Sequence, residues 1–386
     1  MKILICGDTH LGRKNFKVDE REKDFENSFT EIIDYALKNC KAVIHAGDLF
    51  DTGRPSVRTL LFTIKELKRL KEQNIPVFII AGSHDISVDE SFLNVLDKLG
   101  LVIHVSEKKN YTNFGGKIVL KGESFNGLFV AGLYAKDSNI VSALEVLNVE
   151  FPKEPCFKIF LFHHIISDIS TLFSTIKKSS LPKGFDLYVS GHWHERFETE
   201  VYNKKLLYAG STENWDFREV SGEKKGFFMY DTDNNKYEFI KLKIRDSEII
   251  SVECSNKTTD EVKELLLSKI GEGNGKMLFF MLKGRLKSGI KSTLNKQEVY
   301  DAAMKKGYLL CKVYDGELEN PNEEQVSVKT RSVNEIEGEF FKNKGFSDDE
   351  LKISLMLLDL LGKDCSNSER DKLVEEAINY SEAAFK

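Results

Sequence analysis

Five short segments gather the residues able to do metal chemistry: Asp8-Thr9-His10, Gly47-Asp48, Gly82-Ser83-His84-Asp85, His163-His164 and Gly191-His192-Trp193-His194. Each follows a short apolar run, so each stands at the end of an expected strand. Together they offer the carboxylates and imidazoles that suit a pair of Mn-, Fe- or Zn-type ions. Cleaving a phosphodiester calls for such a pair. The phosphate repels an anionic nucleophile, and two cations about 3.5–4 Å apart offset that charge and supply the nucleophile near neutral pH. Asp8 and His10 lie two apart at a strand end and can point into one cavity. Asp48, after a glycine that permits a sharp exit, is the natural bridge. His192 and His194 alternate in the same way and can serve one ion each. A lone Gly-Asp is common; the ordered set, with every member at a strand end, is specific.

The elements that must position these residues are legible as periodicity. Apolar runs at Lys2–Gly7, Ala42–Ala46, Val77–Ala81, Ile159–Phe162, Leu187–Ser190 and Leu206–Ala209 alternate in the first half with helical spacing over Glu26–Lys38, Ser56–Lys71 and Glu90–Leu99. That pattern is an α/β sheet with buried strands, whose ligand crevice lies at the carboxyl ends of the strands. From about Asp246 a smaller α/β unit is expected: strands Ile249–Glu253, Lys276–Leu282 and Leu309–Val313, with helices Thr259–Ile270 and Lys296–Lys306. Residues 317–345 read as an acidic, extended linker. Two helices then follow, each opened by a capping box (Ser347 with Glu350, Ser366 with Glu369), with Phe346 placed to staple to Leu351. Leu351, Leu355, Leu358 and Ile378 lie among apolar positions too numerous for two helices to bury alone.

At 386 residues, 41% hydrophobic and 30% charged, the chain has the composition of a globular protein of two or three domains. The net charge of −5 does not advertise nucleic-acid binding. It resides in residues 331–386, which carry 8 basic and 13 acidic side chains, so the preceding body is neutral and free to hold local basic faces. The opening apolar run is cut short by Asp8, and no apolar stretch approaches a membrane span, so no secretory leader and no membrane association are expected. Six scattered cysteines without C-x-x-C spacing argue against disulfides and structural zinc, and for a reducing, cytoplasmic or nucleoid-associated setting.

The ordered set D-x-H, G-D, G-x-H-D, H, G-H-x-H resembles the calcineurin-like metallophosphoesterase superfamily. The stretches "DTHLG", "DEREKDFENSF", "AGDLFDTGRPSVRTL", "AGSHD", "GHWHERFE" and "YAGSTENWDF" look, over residues 1–220, like the SbcD family of double-strand-break repair nucleases and its archaeal and eukaryotic counterparts. The resemblance implies a two-sheet α/β sandwich flanked by helices. It divides the chain into a nuclease domain (1–245), a DNA-capping domain (246–316), a linker (317–345) and a helical tail (346–386) that grips a coiled-coil SbcC-type ATPase. It further implies two Mn2+ ions (Mg2+, Fe2+ or Zn2+ being possible), a homodimer, and 3′-to-5′ exonuclease and single-strand endonuclease activity. By motif, one ion falls to Asp8, His10, Asp48 and His194, and the other to Asp48, Ser83, His163 and His192. His84 becomes the residue that stabilises the transition state or protonates the leaving oxygen, and Asp85 the residue that orients it. Ser83 departs from the family's asparagine and puts the second ion in question: either water fills the gap or the site is weakened. Asp51 stands where many relatives have histidine.

The remaining candidates carry bland readings beside the functional one. His45 lies inside an apolar run and reads as a buried, hydrogen-bonded histidine; His104 reads as incidental and Trp193 as wall packing. His164 takes a supporting place if His163 is the ligand. Arg13, Lys14, Arg54 and Arg58, just beyond the metal motifs, are candidates for phosphate contact or for structural pairing. Lys283, Arg285 and Lys287 share one side of an extended segment that either meets DNA phosphates or forms a solvated edge. The family's dimer helices place Leu61, Phe62, Leu93 and Leu96 at a two-fold contact. Two rivals stay open: a phosphoesterase of non-DNA substrates, and a DNA-end-binding scaffold with a decayed second site.

Overall fold

Strands with alternating Ile, Leu, Val and Phe must bury both faces, and the computed structural model shows how. It describes residues 1–86, 91–106, 110–114, 117–134, 137–170, 176–222 and 224–321, with Ser347 and Ser354. The first sheet has six strands in the order Lys236–Lys241, Gly226–Asp231, Lys2–Cys6, Ala42–His45, Val77–Ile79, Ile103–His104. Its last four strands are parallel, and Gly226–Asp231 joins Lys2–Cys6 antiparallel. The second sheet also has six, ordered Phe197–Val201, Lys204–Tyr208, Leu187–Ser190, Phe157–Phe162, Leu128–Leu133, Glu123–Phe125.

Alternation along one strand decides the layers. Ile3 and Ile5 enter the core between the sheets with Ile44, Phe78, Val130, Leu161 and Val189. Leu4 and Cys6 point the other way, into the core under α1 (Asp19–Asn39), α2 (Val57–Glu72) and α3 (Phe92–Lys98). A third core, including Phe129, Phe160, Phe162 and Tyr188, covers the far face of the second sheet beside α4 (Asp137–Glu145). The expected two-sheet sandwich flanked by helices is therefore present. A small sheet of Tyr111–Phe114, Lys117–Lys121 and Leu147–Glu150 shares no ladder with these two and packs on the third core through Leu120.

The strands Ser247–Glu253, Met277–Arg285 and Leu310–Glu319 form a parallel three-stranded sheet. One face packs on α5 (Thr259–Ser268) and α6 (Lys296–Lys305) through Leu278, Phe280 and Leu282. The other, through Met277, Phe279 and Leu310, meets Phe16, Val18 and Phe217. The strand after α6 runs to Glu319, past the expected start of the linker. The chain divides after Pro321; the expected linker and tail helices, with Leu351, Leu355, Leu358 and Ile378, lie outside the described residues. No helix among the described residues is long and apolar enough to cross a membrane. The five cysteines described are free.

Candidate metal centre

Two tied loops carry three of the candidate ligands. The Asp8 N–H donates to the Gly47 carbonyl (2.9 Å) and the His10 N–H to the Asp48 carbonyl (3.0 Å), so the two loops leave their parallel strands in step. The exit is sharp enough to need left-handed backbone: φ is 49° at Asp8, 42° at His10, 52° at Asp48 and 75° at His192, beside 97° at Gly47. Gly82 makes room for the result, because a Cβ there would strike the Asp48 carboxylate.

The ligand atoms converge in groups whose members lie within 4.8 Å of one another: Asp8, His10 and His194; Asp48, His163 and His192; and His84 with His10 and Asp48. Asp48 and His10 each belong to two of these groups. The Asp48 Oδ2 lies 3.2 Å from His163 Nε2 and 4.0 Å from His10 Nε2, while its Oδ1 accepts the His84 N–H at 2.7 Å. Ser83, exposed at the rim, reaches Asp48 Oδ2 with its hydroxyl at 3.4 Å. His164 is buried and stacks on Tyr134, 6.2 Å between ring centroids.

These residues fit divalent metal. His10 Nε2 and His194 Nε2 face each other at 3.2 Å. Two nitrogens each about 2.1 Å from one ion at near-tetrahedral angles stand about 3.2–3.4 Å apart. His163 Nε2 is buried with no directed hydrogen bond, although Asp48 is beside it. Asp8, His10 and His194 could hold a divalent cation, and so could Asp48, His163 and His192.

Electrostatics separates the groups. Burial raises the Asp8 carboxyl to about 6 against the pull of His163 and His194. Burial also acts to raise Asp48, but His163, His10 and His84 outweigh it and hold that carboxylate well below the usual range. Burial disfavours charge on His163, yet Asp48 and then Asp8 carry it up to about 10. Burial, seconded by His194, drives His10 well below the ordinary imidazole value. Opposed shifts of this kind in one cluster mark functional sites.

The rings are aimed from behind. His163 Nδ1 meets the Ala46 carbonyl at 2.7 Å, His84 Nδ1 the Asp51 carbonyl at 2.7 Å, and His194 Nδ1 the Glu219 carboxylate at 2.8 Å. A carbonyl or carboxylate there requires Nδ1 to carry the hydrogen and leaves Nε2 for the cavity. The partner of His84 is thus the Asp51 carbonyl. Asp85, expected to orient His84, instead spends its carboxylate on the backbone N–H groups of Leu49, Phe50 and Gly82 (3.0–3.2 Å), because it is buried under that loop. Burial, then Asp48, pushes its carboxyl up to about 7.

Glu219, Lys225 and Trp215 escaped the sequence reading. Trp215 walls the site, 5.6 Å from His194, 6.1 Å from His10 and 6.3 Å from His84 between ring centroids. It lies inside "YAGSTENWDF", the one sequence signal that points to it.

The expected DNA-contacting cations are mostly paired. Arg13 stacks on Trp215 at 3.9 Å and reaches Asp51 at 3.2 Å. Lys14 bonds Asp19 and Glu22, Arg58 bonds Glu22 and Glu26, and Arg285 bonds Glu319. Lys283 is exposed between its cross-strand neighbours Glu253 and Glu317, and Lys287 and Arg54 are exposed. Of the expected dimer residues, Leu61 is 62% exposed and Phe62 half-buried, whereas Leu93 and Leu96 are fully buried beneath α3. The side of α3 that meets solvent carries Val95, with Leu99 at the C-cap, so Leu93 and Leu96 are core.

A family profile described as calcineurin-like phosphoesterase matches residues 1–196. Over 397 aligned residues the chain is 28% identical to the DNA double-strand break repair protein Mre11 of Sulfolobus acidocaldarius, covering 98% of each chain. The Mre11 protein of Saccharolobus solfataricus is 29% identical, again over 98% of each. That of Methanocaldococcus jannaschii is 29% identical over 68% of this chain and 70% of its own. With the profile spanning half of the chain and its ligand loops assembled in one crevice, the chain belongs to the calcineurin-like phosphoesterase family and is a metal-dependent phosphodiesterase.

Proposed function

We propose that the chain is a Mn2+-dependent DNA nuclease that processes double-strand-break ends. On duplex ends it acts as a 3′-to-5′ exonuclease, and on single strands as an endonuclease. The observation that carries this is the pair of ligand groups brought together at Asp48, a member of one and 4.0 Å from His10 of the other, in a chain similar almost end to end to repair proteins. Divalent cations held by Asp8, His10 and His194 and by Asp48, His163 and His192 would supply charge to offset the phosphodiester and to activate water. The chain's own work is positional. Asp48 stands where the two ligand groups meet, and Trp215 narrows the approach. His84, with Nδ1 committed to the Asp51 carbonyl, presents Nε2 to the phosphate. From that position it can pass a proton to the leaving oxygen.

Mn2+ is expected to support cutting of circular single-stranded DNA by the purified protein. His84→Ala is expected to lower that rate about 100-fold or more with bound metal unchanged by elemental analysis. Hydrolysis of bis-p-nitrophenyl phosphate with no cutting of DNA would instead favour a small phosphodiester substrate. Ser83 favours a second reading within the same chemistry: a hydroxyl at the rim in place of an amide leaves the Asp48–His163–His192 group one donor short. Ser83→Asn is then expected to raise metal stoichiometry or rate.

The partners follow from the same likeness. The exposed Val57 and Leu61 on α2, with Val95 on α3 and Leu99 at its C-cap, suit a two-fold contact between copies. Residues 246–316 cap the DNA, and residues 346–386 bind a coiled-coil SbcC-type ATPase through Leu351, Leu355, Leu358 and Ile378. Removing 346–386 is expected to spare the basal nuclease and abolish ATPase binding in a pull-down; normal binding by the truncated chain would refute the tail assignment.

A further inference from the structure

The three imidazoles aimed from behind are not aimed alike. His163 and His84 lean on backbone carbonyls, whereas His194 leans on a carboxylate. Glu219 Oε1 takes the His194 Nδ1–H at 2.8 Å, and its Oε2 is held by Lys225 Nζ (2.6 Å), the Ser211 hydroxyl (3.1 Å) and the Trp215 N–H (3.1 Å). Lys225 is itself buried and donates also to the His194 carbonyl (2.9 Å) and to Ser211 Oγ (2.7 Å). The carboxylate cannot swing away without breaking four contacts. A carboxylate behind a ligating imidazole fixes its tautomer, orients its ring and makes Nε2 a better donor; losing such a partner costs about 10–100-fold in metal affinity. Across the centre, the Asp48–His163–His192 group has a carbonyl behind His163 and a serine at its rim.

We propose that Glu219, clamped by Lys225, is a positioning residue that presets His194 and makes the Asp8–His10–His194 group the tighter of two unequal cation sites. This rests on the reading of the centre as a two-cation site. The test is a Mn2+ titration of the full chain followed by electron paramagnetic resonance of the free ion. Wild type is expected to bind in two unequal steps. Glu219→Gln, which keeps the shape but removes the charge, is expected to weaken the tighter step roughly tenfold and to spare the other; Ser83→Asn is expected to strengthen only the weaker step. Long-range 1H–15N spectra of wild type without added metal add a readout that no variant can confound: His194 should be the Nδ1–H tautomer. Two equal steps, a Glu219→Gln titration identical to wild type, or an Nε2–H tautomer of His194 would each overturn the inference. Failure to bind any Mn2+ would instead remove the two-cation reading beneath it.

Discussion

His45 uses both ring nitrogens in a space closed to water. The Gly47 N–H donates to Nδ1 (3.3 Å), so Nε2 carries the hydrogen and donates to Thr9 Oγ1 (3.1 Å), which in turn donates to the Leu49 carbonyl (3.1 Å). The ring thereby joins the two ligand loops from below. Burial, seconded by the charge of His163 and opposed by Asp48, lowers its pKa to about 3 from 6.5. The folded chain keeps His45 neutral while the unfolded chain protonates it. Its contribution is therefore complete above pH 6.5 and is lost as pH falls toward 3, amounting to about 3 kcal/mol by pH 4.5. Urea unfolding at pH 7 and pH 4.5 should show a smaller acid loss for His45→Gln than for wild type; equal losses would count against the assignment. As a single residue, His45 was legible as a buried, hydrogen-bonded histidine because it interrupts an apolar run. Glu219 was not, because it meets His194 only after the chain has crossed two strands and a loop into a 3-10 turn, and no spacing rule spans that path.

Loops at the strand ends tolerate little change where they cross. A Cβ on Gly82 would fall on the backbone and carboxylate of Asp48, a member of two of the ligand groups. Gly82→Ala is expected to weaken Mn2+ binding at least tenfold, by the same loss of aim that a missing partner causes, while the far-ultraviolet circular dichroism stays native. Unchanged binding would mean that the loop can move without cost. Among elements, the central strands of the two large sheets were read nearly to their ends because both their faces are apolar, whereas Met277–Arg285 and Leu310–Glu319 run three and six residues past the reading, into segments where charged side chains break the apolar run. Helix α1 was read seven residues short: it begins at Asp19, not Glu26. Its first two turns bury charge in place of hydrocarbon, with Arg21, Glu22, Asp24 and Glu26 all nearly inaccessible, so a search for apolar periodicity passes over them. Three acidic residues in the first turn suit the helix's positive end.

Those charges are what bind the larger parts. Arg21, fully buried, pairs with Asp24 (2.6 Å) and Glu213 (3.1 Å), and the Asp24 carboxylate also takes two bonds of 2.7 Å from Arg245, which reaches on to the Gly275 carbonyl. Helix α1, the loop bearing Trp215 and the approach to the three-stranded sheet thus share one chain of ions, reinforced by the Phe217–Tyr314 stack at 3.7 Å. Removing one member of a buried pair leaves the other charge uncompensated, so Asp24→Ala is expected to cost about 3–5 kcal/mol, read from urea unfolding. A loss below about 1 kcal/mol would place the chain of ions among contacts of no consequence. The uninterrupted apolar run Met277–Leu282 shows in sequence that this sheet is covered on both faces; that aromatic residues of the first domain cover one of them could only come from the folded chain.

Four of the candidate ligands, Asp8, His10, Asp48 and His192, hold their backbones in the left-handed region, a conformation that costs an L-residue about 1 kcal/mol. The crevice is therefore a standing debt against the fold, and glycine at any of the four would relieve part of it. A lineage released from the need to cut phosphodiesters would gain thermal tolerance as it lost its ligands, so an inactive descendant of this chain should melt later than its working ancestor.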